Sequence, residues 1–278
     1  MYKRQVRIHV IGDGAIHAAL DIFEEAAELY GLPQHGHNTL EHLENFLPED
    51  IDRLRKLNVV ASSQPCHITL DPGGPERDLG LERSRIMWPF ATYKQRGIRQ
   101  AFGTDSPITA VTSMNVLYTA ITRQDPRSHW PEGGWLPSER IDAATALRNY
   151  TLGSAYAAGD EKNLGSLEPG KYADLVVLDQ NPLTIDPQEL QATKVQATYL
   201  AGNLIYAVSY SCRTVKRGSC SLFWDGARAA FVCQWGSARS VPALLDLGAG
   251  RRRRCPALNS DISTAVSWCF AYFPLQIA

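Results

Sequence analysis

Two histidines and an aspartate, His9, His42 and Asp105, each stand at the close of a short apolar run. Imidazole and carboxylate are the usual protein ligands of a catalytic zinc-like ion, which keeps one coordination position open for water. The intervals between them are 33 and 63 residues, one and two multiples of the roughly 31 residues that a βα unit occupies in a barrel of about 250 residues. Such spacing puts all three at or just past the C-terminal ends of parallel strands, the end at which barrel and α/β sites are built. Taken singly, His9 or His42 reads more readily as a hydrogen-bonded core residue. The shared spacing is what favours a common site.

The elements that must position these residues follow from hydrophobic periodicity. Val6 to Ile11 is rich in β-branched residues and stops at Gly12, after which Ala15 to Tyr30 repeats apolar residues at helical spacing (Ile16, Leu20, Phe23, Ala27). Gly31-Leu32-Pro33 breaks that helix, Asn38 to Leu43 is strand-like, and Pro48 to Leu57 is helical with proline at its start. Val59 to Gln64 predicts a third strand, then a long loop and a helix from Met87 to Arg96. Arg99 to Gly103 predicts a fourth strand. Strands alternating with helices point to an α/β fold of parallel βα units, part of a barrel or of a doubly wound sheet. Helical stretches at Ser138–Tyr150 and Ser154–Ala158 precede a change to strand and turn. Leu164 to Asp179 reads as strand, Pro-Gly turn, strand, and Ala197 to Tyr206 as a hairpin around Gly202-Asn203.

His9-Val10-Ile11-Gly12-Asp13-Gly14-Ala15, Glu41-His42, Gln64-Pro65-Cys66-His67 and Gly103-Thr104-Asp105-Ser106-Pro107 resemble, in order, consecutive motifs of amidohydrolase family 3, the branch that contains N-substituted formamide deformylases. The stretch from Gly165 to Asp179 resembles the superfamily's β-sandwich segment. The resemblance covers about residues 5–206. It implies strands five to eight of a TIM-like (β/α)8 barrel over residues 1–158 and part of a composite β-sandwich over 159–206, with an unassigned tail at 207–278. It further implies that His9 and His42 end strands five and six and bind a divalent metal, zinc first. Asp105 would end strand eight as a further ligand and as the catalytic base. The reaction implied is hydrolysis of a non-peptide carbon–nitrogen bond of a small amide or formamide by metal-activated water. Barrel strands one to four, with a His-x-His pair and a fourth-strand ligand, are not among these residues, so the expectation is a truncated chain. His35-Gly36-His37 has the pair's spacing but lies in a polar loop after Pro33. The competing reading is a non-catalytic fragment or an inert subunit-docking module.

Other residues carry weaker signals. His67, Asp71, Arg85 and Arg123 fall near the expected barrel mouth and are candidate substrate contacts, each equally readable as a solvated loop residue or a structural ion pair. Gly12-Asp13-Gly14 imitates a dinucleotide fingerprint but has His17 at the third glycine position. Cys66 beside His67 suggests a thiol nucleophile, yet adjacent residues on a strand face opposite ways, which favours a structural cysteine. Ser166, Lys171 and Asp174 read as turn and strand residues without a catalytic part.

The 278 residues are 44% hydrophobic and 21% charged with a net charge of −1, the composition of a globular chain with no global case for nucleic-acid or membrane binding. The charge is uneven. From Ala207 onward the balance is +6, which leaves −7 for the rest, and five of the six cysteines lie there. That shift suggests intron or out-of-frame sequence. With Cys66 as the one earlier cysteine and no secretory leader pattern, the body reads as cytoplasmic. Four barrel strands alone leave open edges that invite a partner, a homo-oligomer being the simplest.

Overall fold

The computed structural model describes residues 5–33, 36–71 and 73–208, and beyond them only the backbone of short strands at Ser221–Asp225, Arg228–Val232, Ala243–Asp246 and Cys269–Phe270. The expectation for the tail thus lies mostly outside the described residues. Four strands, β1 (Arg7–Val10), β2 (Thr39–His42), β3 (Val60–Ser63) and β4 (Gln100–Phe102), form one sheet in the order β1-β2-β3-β4, and every neighbouring pair is parallel. Each lies within the run that its β-branched and apolar residues predict. β3, flanked on both sides, is buried throughout, whereas β1 at the edge is buried only at Val10. Parallel strands covered on both faces tend to be apolar throughout, but β3 is buried while ending in two serines, Ser62 and Ser63.

The connecting helices are α1 (Asp13–Tyr30), α2 (Ile51–Lys56), α3 (Gly74–Ser84) and α4 (Phe90–Gln95), followed by α5 (Ser113–Thr122), α6 (Ala143–Arg148) and α7 (Ser154–Ala157). α1 turns Ile16, Ala19, Leu20 and Phe23 inward. Burial of each large side chain contributes about 1.5–3 kcal/mol. They join Leu40, Phe46, Leu54, Phe90, Tyr93 and Phe102 in one core that spans the sheet and its helices. The opposite stripe of α1 leaves Ile22, Leu29 and Tyr30 exposed, beside Val6 and Ile11 at the two ends of β1. Among the described residues no strand pairs with the outer side of β1.

Two expectations are corrected. The long loop after β3 contains α3, and the helix expected from Ser138 to Tyr150 is split: Pro137–Glu139 forms a 3-10 turn and α6 starts afresh at Ala143. Asp142 caps α6 by accepting from Thr145 N at 2.8 Å, so the chain must leave helical geometry just before it. A π-helical turn, Asn149–Gly153, then leads into α7. Gly153 passes so near β4 that a Cβ there would lie 2.1 Å from the Gln100 carbonyl oxygen, and Ser154 Oγ donates to the Phe102 carbonyl at 3.0 Å. This turn therefore covers part of the outer edge of β4.

After α7 the chain builds an antiparallel sheet from β5 (Leu175–Leu178), β6 (Val195–Leu200) and β7 (Asn203–Ala207), with the short strand Cys269–Phe270 paired to the other side of β5. Of the strand–turn–strand expected at Leu164–Asp179, only β5 forms. Lys171 Nζ donates to Ser166 Oγ at 2.5 Å, and Asp174 Oδ1 accepts from Ala201 N at 2.5 Å, so these residues tie down turns. No helix of the described residues is long and apolar enough to cross a membrane.

Candidate metal centre

Parallel β-strands present their C-terminal ends on one side, and there the first three candidates gather. In a regular ladder His9 stands opposite Glu41, and Val10 opposite His42. The backbone departs from that alternation at the last residue of β2, where His42 has φ +76° and Leu43 φ +52°. Non-glycine residues rarely adopt this left-handed conformation, and His is among those that tolerate it best. The His42 ring consequently meets the His9 ring edge-on, with centroids 4.3 Å apart. Asp105, three residues past β4, is also left-handed at φ +53°. Backbone strain of this kind clusters at functional sites.

His67 enters from the turn Pro65–Thr69 that follows β3. Its ring stacks 5.7 Å from that of His42, its Nε2 lies 3.7 Å from Asp105 Oδ2, and its Nδ1 donates to Glu44 Oε1 at 3.2 Å. His42, Glu44 and His67 bring one ligand-type atom each within 4.8 Å of one another. The two inner histidines are 7% and 9% exposed, and Asp105 stands at the rim with 40% of its side chain accessible. Burial, reinforced by the neighbouring His9 and His67 and opposed by Asp105, holds the His42 imidazole below its ordinary pKa and thus neutral.

A metal ion requires lone pairs that nothing else has claimed. His42 Nδ1 and His67 Nε2 are both buried and have no hydrogen-bond partner. A buried polar atom left unpaired costs about 1–3 kcal/mol, and ligation of a cation would remove that cost at both atoms. The donor set of imidazole and carboxylate suits zinc and other divalent transition ions. The residues present fit such an ion.

The remaining candidates are placed differently. Asp71 pairs with Arg77 at 2.7 Å and Arg85 with Glu82 at 3.1 Å, all on exposed side chains. Arg123 is fully buried. Its Nε, Nη1 and Nη2 donate to the carbonyls of Trp135, Trp88 and Met87 at 2.5, 2.9 and 3.4 Å, which leaves its fork for the main chain. Cys66 is buried and burial pushes its thiol up to about 11, an inert group. His37, on the loop before β2, stacks on Tyr156 at 3.5 Å. Glu44 is the residue that sequence reasoning missed. Its one local signal is a carboxylate two positions beyond His42.

A parallel sheet with histidines and an acid gathered at its C-terminal end offers a divalent metal its usual protein donors. A metal-dependent hydrolase from Pyrococcus horikoshii OT3, known from its crystal structure, superposes with a TM-score of 0.57 at 29% identity, over 66% of this chain and 35% of that one. The amidohydrolase family model matches residues 2–206, and the chain belongs to that family. The Arabidopsis thaliana protein LONG AFTER FAR-RED 3 is 34% identical over 203 residues, 73% of this chain. The N-substituted formamide deformylase of Arthrobacter pascens is 32% identical over 120 residues, 43% of this chain. The chain spans 34% of the first of these curated relatives and 21% of the second.

Proposed function

We propose that this protein hydrolyses a non-peptide carbon–nitrogen bond in a small amide or formamide, at a divalent metal held by His9, His42 and Asp105. The buried, unpartnered Nδ1 of His42, with the His9 ring 4.3 Å away and Asp105 nearby on the same end of the sheet, is the observation that carries the reading. In this reading residues 1–158 are barrel strands five to eight with their helices, residues 159–206 belong to a composite β-sandwich, and the active enzyme includes the remaining barrel strands.

Bound there, zinc or a similar ion supplies a Lewis acid and a water of lowered pKa. Asp105 is left-handed and half-exposed, so its carboxylate reaches both the rim, where substrate arrives, and the interior. It accepts the proton of the attacking water and returns it to the nitrogen as the carbon–nitrogen bond breaks, giving a carboxylic acid and an amine. Burial keeps the His42 imidazole neutral on the inner side, and Leu43 and Phe46, close to it in the chain, are buried in the apolar core.

Metal content per purified chain, measured beside His42→Ala and Asp105→Asn, tests this. About one ion per chain, lost in His42→Ala and held more weakly in Asp105→Asn, is the expected result. A parent chain with no metal above background would overturn the proposal and leave an inert docking module.

A further inference from the structure

We infer that His67 is itself a ligand of this metal centre, through Nε2, and that Glu44 is the positioning residue that orients it. The inference rests on the metal centre proposed above and adds to its ligand set. Metal-bound histidines nearly always donate their second ring N–H to a carboxylate, a carbonyl or water, which fixes the tautomer and leaves the other nitrogen's lone pair for the ion. His67 has this arrangement. A carboxylate can only accept, so the 3.2 Å contact between Nδ1 and Glu44 Oε1 places the proton on Nδ1 and the lone pair of the neutral ring on Nε2.

That Nε2 is buried, has no hydrogen-bond partner, and lies 3.7 Å from Asp105 Oδ2. Two ligands at about 2.0–2.1 Å from one tetrahedral zinc stand about 3.3 Å apart, so the observed separation is close to that of two atoms sharing an ion. It is too long for a direct hydrogen bond, and the pair is not competing for its own proton. His42, His67 and Asp105 come from the ends of β2, β3 and β4 in succession. Three adjacent strands thus carry three ligands, with His9 from β1 beside them. As a consequence, this chain holds a metal without help from residues outside β1–β4 and their loops.

The test is a titration of the full chain with Co(II) alone, followed by its visible absorption and by calorimetry, on the parent and on His67→Ala, Glu44→Gln and Asp71→Asn. Binding about 100-fold weaker in His67→Ala, with a shifted absorption band, and about 10-fold weaker in Glu44→Gln is expected, second-sphere partners typically being worth 10–100-fold. Asp71→Asn should match the parent. Far-UV circular dichroism and the unfolding midpoint of each apo variant separate lost ligation from lost folding, and Glu44→Gln, which keeps the acceptor and the volume, serves where His67→Ala does not fold. Parent-like affinity and spectrum in both His67→Ala and Glu44→Gln would overturn the inference while leaving the metal centre standing. A parent chain that binds no Co(II) would overturn both.

Discussion

Asp13 and Arg83 pair between two helices: Arg83 Nη2, on α3, donates to Asp13 Oδ2 at 2.5 Å, joining the first turn of α1 to the helix inserted after β3. Partial burial raises the Asp13 pKa, but the bond from Arg83 and the backbone N–H of Gly14 outweigh it, and the carboxyl lies below its ordinary value. A depressed carboxyl contributes stability that is fully present above its unfolded pKa and is lost as pH falls through the lowered folded one. Both side chains are partly exposed, so the coupling should be small, about 0.2–1 kcal/mol. A double-mutant cycle with Asp13→Asn and Arg83→Ala, read by urea unfolding at pH 7 and at pH 3, should return that coupling at the higher pH and less at the lower. Equal coupling at both would sink it.

Gly153 should be irreplaceable. Alanine there puts a Cβ 2.1 Å from the Gln100 carbonyl oxygen, a backbone atom that cannot swing away without displacing β4. We expect Gly153→Ala to destabilise by about 3 kcal/mol or more, and to weaken metal binding as well, since Asp105 hangs from the end of β4. An unfolding midpoint within error of the parent would contradict the close approach.

Arg123 should matter for stability and hardly at all for recognition. Its guanidinium serves three main-chain carbonyls from the α3–α4 connection and from Trp135, and lies 5.4 Å from the Trp135 ring. Arg123→Ala strands those acceptors and should cost about 3 kcal/mol. Lysine cannot reproduce the planar fork and should recover less than half of the loss. Denaturant unfolding reads both. Preserved stability with altered substrate preference would point instead to a role at the mouth.

Cys66 should be chemically silent in the folded protein. With its thiol pushed up to about 11 by burial, it carries almost no thiolate at pH 8. Iodoacetamide should label it only after unfolding, and Cys66→Ala should leave metal affinity unchanged. Rapid labelling of the native chain at Cys66, located by peptide mapping, would show that the site opens.

How much of this was legible in the sequence follows from the periodicities. All four parallel strands were, because short runs with β-branched or apolar residues recur between helical stretches at regular intervals, and α1 was, because one face of it is buried and the other is not. α5 was not, since Val116, Leu117, Tyr118, Thr119, Ala120 and Thr122 are all buried and a helix buried on most sides shows no apolar stripe. α3 failed for the opposite reason. It is short, strongly charged and kinked at Gly80, where φ is +78°, so it lacks both period and continuity. Strand-end spacing anticipated that His9, His42 and Asp105 share one end of the sheet, but the dyad of Glu44 with His67 joins two separate loops 23 residues apart, a contact that no local pattern encodes.

At position 42 the backbone and the chemistry rank the twenty amino acids in different orders. The left-handed turn after β2 is most easily held by glycine, whose conformational freedom removes the strain, and next by asparagine or aspartate. A selection scheme that rewards only thermal stability of the apo protein would therefore drift towards His42→Gly, while one that rewards metal retention would hold the histidine against that drift. The two selections, run in parallel on one library, would turn a single dihedral angle into a record of what this chain is kept for.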